Sequence, residues 1–324
     1  MRESGSKRKL AILGGGALGL AVARILAAGS IPFSLWSRSE ATRRKASRAL
    51  GGGVVVDTVA EAAGGAGAVL LAVPAPALRE VCGAYGEVAT GDQVVVHACR
   101  GVAEGFTLPH EVIRQESCAR KIAVLGGPLH AVEMSSGRPL AVAAASRFDE
   151  AVQAVSYAMA GSLVRVHPSR DVVGVEVAGA VSNVTALALG LADGLGLGET
   201  PRGVLKMRGL TEATSLGLAL GADRETFSGL AGVGDLIPRR VAATRRHHEA
   251  GALLAKEGAS EATSEDLRLL EGAVTARETR AMADRTGLSL PMVSAVAQVL
   301  SGEADPAAAL ESVLGLDLHL GVGS

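Results

Sequence analysis

Glu176, Gly179, the adjacent pair Ser182 and Asn183, and Ala186 follow one another at steps of three or four residues inside the apolar run that opens near Asp171, which puts them along one face of a helix. A carboxylate and an amide on an apolar helix need partners or a ligand, since an unpaired buried polar group costs ~1–3 kcal/mol. Gly14, Gly16 and Gly19 have the G-x-G-x-x-G spacing. In that pattern the first glycine permits a tight turn, the second lets backbone approach a pyrophosphate, and the third lets a helix pack on a strand. Phosphate charge then meets the free N–H groups of a helix start. With 42 glycines in the chain the spacing alone is weak evidence. Its place between a strand and a helix gives it weight, and a turn that binds nothing is the plain alternative.

Arg245 and Arg246 stand in a basic stretch with Arg239, Arg240, His247 and His248. Guanidinium groups match phosphate oxygens in pairs, whereas Arg239, Arg240 and His248 read as a charged helix face. Neither His247-His248 nor Cys82, Cys99 and Cys118 has metal-ligand spacing, so no metal is expected. Asp235 follows Gly229, Gly232 and Gly234 without the Lys-Ser/Thr that a phosphate loop requires.

Two kinds of architecture must position these residues. Strands are predicted at Lys9–Leu13, Pro32–Trp36, Val54–Asp57, Ala68–Val73, Gln93–Ala98, Lys121–Leu125, Leu140–Ala145 and Ser162–His167. Helical patterns lie between most of them, the first at Ala17–Ala28 with Gly29 as its stop. This alternation predicts an α/β domain of Rossmann type over residues 1–169, a doubly wound parallel sheet covered on both faces. From Asp171 the periodicity is helical, at Asp171–Leu195, Pro201–Leu220, Pro238–Lys256, Ser264–Thr286, Pro291–Ser301 and Asp305–Gly315. Residues 170–324 therefore read as a second, all-α domain. The second strand ends in Trp36-Ser37-Arg38-Ser39, where an NAD site usually carries an acid. Arg38 suits a 2′-phosphate and favours NADP(H). Glu40 keeps NAD(H) open, and Arg43 and Arg44 read equally well as a solvated helix face.

Composition narrows the function classes. Hydrophobic residues make up 48% and charged residues 20% of 324, a globular balance. Aromatic residues are only 2%, so the core is built from Ala, Val and Leu, and base-stacking platforms for nucleic acid are not expected. A net charge of −1 gives no general attraction to polyanions. The odd number of cysteines reads as reduced thiols in the cytoplasm. The polar MRESGSKRK start does not read as a signal peptide, and no uninterrupted apolar run reaches the ~18 residues of a membrane span.

The motifs follow one another along nearly the whole chain: GGGALG at Gly14–Gly19, ACRG at Ala98–Gly101, LGGPLHA at Leu125–Ala131 and EVAGAVSNVTALALGLADGLGLG at Glu176–Gly198. RGL at Arg208–Leu210, GLAGVGDL at Gly229–Leu236, TRR at Thr244–Arg246 and EG at Glu271–Gly272 complete the series. In this order the sequence resembles the NAD(P)-dependent glycerol-3-phosphate dehydrogenase family. The resemblance implies a Rossmann domain, an all-helical substrate domain and an active site between them. It implies reversible hydride transfer between NAD(P)H and dihydroxyacetone phosphate, a small phosphorylated substrate. Cofactor contacts are implied at Gly14, Gly16, Ala17, Leu18, Gly19, Arg38, Ala131, Arg245 and Glu271. Substrate contacts are implied at Arg100, Gly127, Thr244, Arg245 and Arg246. Asn183, Asp235 and position 182 are the implied catalytic residues, with Asp235 orienting the catalytic cation. A helical second domain often supplies a dimer face, so a homodimer is compatible with this reading, though no exposed stripe defines one.

Several positions depart from the family pattern. Ser182 stands where the resemblance implies a lysine that donates a proton and stabilises the oxyanion. Arg100 stands at a second usual lysine, Leu129 and His130 replace a serine and a phenylalanine, and Arg246 replaces an asparagine. Carbonyl reduction needs a proton for the alkoxide and positive charge beside it, and a serine hydroxyl carries no charge. Arg100 keeps a charge but is a poor proton donor, His130 offers an imidazole for acid–base work, and Lys206 is a third replacement. Asp235 is expected to pair with Arg100 or Lys206. The serine predicts slow or absent turnover of dihydroxyacetone phosphate, with rescue by Ser182→Lys. Two alternatives accompany the dehydrogenase reading: a non-catalytic NADP(H)-binding sensor, and a dehydrogenase for a different anionic substrate.

Overall fold

The computed structural model describes residues 9–237, 245–257 and 270–315. The chain divides into two compact units, Met1–Cys99 with Pro109–Val175, and Arg100–Leu108 with Glu176–Ser324. The division thus falls between Val175 and Glu176 rather than at Ser169, and Arg100–Leu108 joins the second unit instead of the first. Backbone hydrogen bonding explains the second difference. A loop without a strand partner must find acceptors for its N–H groups, and one face of the Glu271–Thr286 helix supplies them. Arg100 N–H donates to Glu271 Oε1 at 3.2 Å, Val102 N–H to Thr275 Oγ1 at 3.3 Å, and Gly105 N–H to Glu278 Oε2 at 2.9 Å.

In the first unit the strands are β1 (Lys9–Leu13), β2 (Phe33–Trp36), β3 (Ala66–Leu71), β4 (Val94–His97), β5 (Lys121–Gly126), β6 (Leu140–Ala145) and β7 (Val164–Ser169). They form one sheet in the order β2-β1-β3-β4-β5-β6-β7. From β2 to β5 every pairing is parallel. β6 runs antiparallel to β5, so the sheet is mixed at that side rather than parallel throughout, and β7 is parallel to β6. The strands of the parallel part are buried along almost their whole length, as Ala/Val/Leu runs covered on both faces should be. The strand expected at Val54–Asp57 is only an isolated bridge from Val55 to Leu35. Gly51 and Gly53 turn the chain through positive φ just before it, and β2, only four residues long, offers little edge to pair with.

The second unit is helical among its described residues. Its centre is residues 176–194 of the Val172–Gly194 helix, buried from Glu176 to Ala188. By length and composition this helix passes as a membrane span, but 89% of its most apolar window is buried in the protein, where Glu176, Ser182, Asn183 and Thr185 also sit. Neighbouring helices touch it backbone to backbone. A Cβ at Gly190 would lie 2.1 Å from the His248 carbonyl oxygen, and one at Gly251 would lie 2.2 Å from that of Leu187. The expected helices at Pro238–Lys256 and Ser264–Thr286 appear as Arg245–Glu257 and Glu271–Thr286. Their earlier parts, including Thr244, lie outside the described residues.

Glu212 ties this unit together. It is 4% exposed on the Glu199–Ala219 helix and accepts Met292 N–H at 2.6 Å and Val293 N–H at 3.0 Å. These donors open the Pro291–Ser301 helix, whose first residue has no N–H to satisfy. Burial raises the Glu212 pKa and the two backbone hydrogen bonds pull it partly back. Glu212→Gln leaves one acceptor and turns an amide NH2 toward the other N–H, so it should cost ~2–3 kcal/mol. Urea unfolding checks this, and a loss below ~0.5 kcal/mol would remove Glu212 as a cap.

Candidate active site

Strand order reverses at β1, which lies between β2 and β3, and ligands of open α/β sheets bind beyond the strand ends at such a point. The glycine turn leaves β1 there, braced by Gly14 N–H on the Trp36 carbonyl at 2.8 Å and Ala72 N–H on the Leu13 carbonyl at 2.8 Å. Gly14 has φ +126°, and a Cβ on it would lie 2.3 Å from the Ala72 carbonyl oxygen. A Cβ on Gly19 would lie 1.9 Å from the Gly14 carbonyl oxygen. Packing therefore dictates both glycines. Gly16 is different: it is exposed, has φ −69°, and a Cβ on it would meet nothing within 4 Å. It opens the Ala17–Ala28 helix without a side-chain cap, leaving first-turn N–H groups open. Ala17 is exposed and Leu18 half-buried beside it. An uncapped helix start faced by a glycine that the fold does not need is a cradle that fits a pyrophosphate.

At the end of β2, Arg38 is exposed and its Nη1 meets Glu80 Oε2 at 2.6 Å. Arg43, weighed as a solvated side chain, is instead mostly buried and donates from Nη1 to the carbonyls of Ser37 at 2.7 Å and Arg38 at 3.1 Å. Arg44 pairs with Glu40 four residues back on the exposed helix face. Gly127, His130 and Ala131 also belong to the first unit, in the turn from β5 into the Ala131–Ser135 helix.

The second unit gathers the implied catalytic positions around Arg100. Its guanidinium grips Asp235 with both terminal nitrogens, Nη1 to Oδ1 at 3.1 Å and Nη2 to Oδ2 in a shorter contact. Nη2 also donates to Ser182 Oγ at 3.1 Å. Asn183 Nδ2 donates to the Arg100 carbonyl at 2.7 Å, and Glu271 accepts the Arg100 N–H. The Arg100 side chain is 8% exposed and that of Asp235 is 0%. Burial pushes the Arg100 pKa down, but the Asp235 charge and hydrogen bond outweigh it and hold it above the usual guanidinium range. Of the two partners expected for Asp235, the structure selects Arg100, while Lys206 is half-buried on the Glu199–Ala219 helix. Asp235 reaches the cluster because Gly232, whose Cβ would lie 1.9 Å from the Phe227 carbonyl oxygen, lets the turn pass close over that residue. Glu176 is buried at 1% exposure on the same helix as Ser182 and Asn183.

Arg245 and Arg246 begin the Arg245–Glu257 helix on its exposed side, where Arg245 Nε stands 3.4 Å from Glu249 Oε1. His248 Nε2 lies 2.7 Å from Asp193 Oδ2, and Asp193 also pairs with Arg202. The residue that sequence reasoning missed is His247, 4% exposed, whose Nε2 accepts Gly272 N–H at 3.1 Å. Burial, then the Arg100 and Arg246 charges, lower its pKa to about 3. His247, Gly251 and Leu254 are the buried residues of their helix, and that spacing was the available signal.

The sequence profile described as the NAD-dependent glycerol-3-phosphate dehydrogenase N-terminus matches residues 9–152, and that for the C-terminus matches residues 171–311. The chain belongs to the NAD-dependent glycerol-3-phosphate dehydrogenase family. It is 36% identical to the glycerol-3-phosphate dehydrogenase [NAD(P)+] of Rhodospirillum rubrum, over 97% of this chain and 94% of that protein. With the protein of that name from Methylibium petroleiphilum it shares 40% identity, over 79% of this chain and 77% of the relative. The crystal structure of glycerol-3-phosphate dehydrogenase from Coxiella burnetii superposes with a TM-score of 0.87 at 29% identity, covering 96% of this chain and 99% of that one. A PanE/ApbA family ketopantoate reductase from Ralstonia eutropha, at 17% identity and TM-score 0.56 over 94% of this chain and 99% of that one, shares the fold alone. In this member of the glycerol-3-phosphate dehydrogenase family, Arg100–Leu108 falls within the N-terminal profile by sequence and within the helical unit by structure.

Proposed function

We propose that the protein interconverts sn-glycerol 3-phosphate and dihydroxyacetone phosphate with a nicotinamide dinucleotide, and that Arg100 supplies the positive charge implied for a lysine at position 182. The observation that carries this reading is the Arg100–Asp235–Ser182 cluster, a cation held by two hydrogen bonds beside the serine. The bound dinucleotide supplies the hydride in reduction and accepts it in oxidation. Arg100 stabilises the alkoxide oxygen as charge develops, a role in which one preorganised donor is worth ~10²–10³-fold in rate. Ser182 accepts from Arg100, which leaves its hydroxyl hydrogen free to hydrogen-bond that oxygen, and the proton that completes the alcohol is taken up from solvent. Asn183 fixes the Arg100 backbone through Nδ2, and its buried Oδ1, with no partner among the described residues, is the acceptor for a substrate hydroxyl. Gly127, Thr244, Arg245 and Arg246 are assigned to the substrate phosphate, Ala131 and Glu271 to the cofactor.

NADP(H) is the preferred cofactor in this reading, because Arg38 stands where NAD selection calls for an acid. The protein works in the cytoplasm as a homodimer. None of its three cysteines is in a disulfide, and burial, with the neighbouring Glu116 charge, pushes the Cys82 thiol up to about 12. Initial rates of dihydroxyacetone phosphate reduction with NADPH and NADH test the assignment. Arg38→Gln should raise the KM for NADPH ~10-fold, the loss of one charge-assisted contact, and leave that for NADH unchanged. Equal effects on both cofactors would remove Arg38 from the 2′-phosphate site.

A further inference from the structure

We infer that His247 is a positioning residue: by accepting the Gly272 N–H it fixes the start of the Glu271–Thr286 helix, and with it the carboxylate that holds Arg100. The inference rests on the proposed role of Arg100. The Glu271–Thr286 helix has Leu270 at its N-cap and no side-chain cap there; Ala273 N–H reaches the Leu270 carbonyl at 2.9 Å, and Gly272 N–H takes its acceptor from outside the helix. His247 Nε2 is such an acceptor, reaching in from the Arg245–Glu257 helix at 3.1 Å. The contact is close-packed. A Cβ on Gly272 would lie 2.6 Å from His247 Cδ2 and 3.0 Å from the Asn183 carbonyl oxygen. Three helices therefore meet where Gly272 has no side chain, and the chain positions around that point the two residues that hold the Arg100 backbone, Asn183 and Glu271.

An imidazole that accepts at Nε2 is neutral with its proton on Nδ1. Protonation would remove the lone pair and release the helix start. Arg100 and Arg246 face the ring with positive charge, Glu271 adjoins its hydrogen-bond donor, and burial opposes a charged ring in any case. His247 is thus kept as a permanent acceptor rather than as an acid or base.

Three substitutions separate this role from packing alone. Gln places an oxygen near the position of Nε2, Asn places one near that of Nδ1, and Leu offers none. His247→Leu and His247→Asn should lower kcat for dihydroxyacetone phosphate reduction ~10- to 100-fold, as misplacement of a reacting group does, and His247→Gln should recover most of it. Amide hydrogen exchange over Leu270–Ala276 should quicken in the Leu and Asn variants and return to the wild-type rate in the Gln variant. Unchanged protection of the Pro291–Ser301 helix shows that each variant is folded. Wild-type exchange in His247→Leu, or equal losses in all three variants, overturns the inference. If the wild-type protein itself does not turn over dihydroxyacetone phosphate, the dehydrogenase reading fails. The exchange pattern then decides separately whether His247 holds the helix start.

Discussion

Arg100→Met and Asp235→Leu should each destabilise the helical unit by ~3–5 kcal/mol, and the double variant should regain most of that stability without regaining turnover. Each single change strands a charge in a site where the Arg100 side chain is 8% exposed and the Asp235 side chain 0%. Removing both leaves an apolar pair of similar bulk, which buried sites tolerate well. Activity follows a different rule. On the proposed role of Arg100, its loss leaves the alkoxide without a fixed positive charge, so both the Arg100→Met variant and the double variant should be slower by ~10²–10³-fold. Urea unfolding beside steady-state reduction of dihydroxyacetone phosphate gives the two readings. A double variant that is stable and fully active would make the ion pair a structural feature only.

The second large effect is expected at the glycine turn. Gly16→Val should leave stability within ~0.5 kcal/mol of wild type, because the backbone there is ordinary for any residue and a Cβ meets nothing within 4 Å. It should nonetheless weaken NADPH binding ~100-fold or more, about 2.7 kcal/mol, by filling the space a pyrophosphate needs. Gly19→Ala should do the reverse in stability and cost about 1–3 kcal/mol, since its Cβ would fall 1.9 Å from the Gly14 carbonyl oxygen. Fluorescence titration and thermal unfolding distinguish them. Tight NADPH binding by a folded Gly16→Val protein would remove the turn from the cofactor site.

Local pattern made most of the fold legible. Lys9–Leu13, Ala17–Ala28, Leu140–Ala145 and Pro291–Ser301 have the predicted bounds because each is a short apolar run or a helical period with a glycine or proline at an end. Direction was not legible: nothing in the apolar Leu140–Ala145 run says that it pairs antiparallel to β5. Nor was the placement of Arg100–Leu108, which depends on acceptors more than a hundred and sixty residues away in the chain. The candidate site was legible as a set of residues. Ser182, Asn183, Asp235, Glu271 and Arg100 are the positions that meet. Their bonding was only partly legible. Asp235 had two candidate partners on paper, and only the structure shows the Arg100 guanidinium against both Asp235 and Ser182. That geometry also reverses the expectation for Ser182→Lys, because a lysine there would enter space already held by a cation.

The most direct test is the rate of dihydroxyacetone phosphate reduction by NADPH from pH 6 to 10, wild type beside Ser182→Lys. With Asp235 holding the Arg100 pKa above its ordinary range, raising the pH does not discharge the cation. The wild-type protein should therefore turn over at ~1 s⁻¹ or faster with no alkaline loss traceable to it, and Ser182→Lys should be slower. A wild-type protein without turnover, restored by Ser182→Lys, would contradict the assignment of the charge to Arg100.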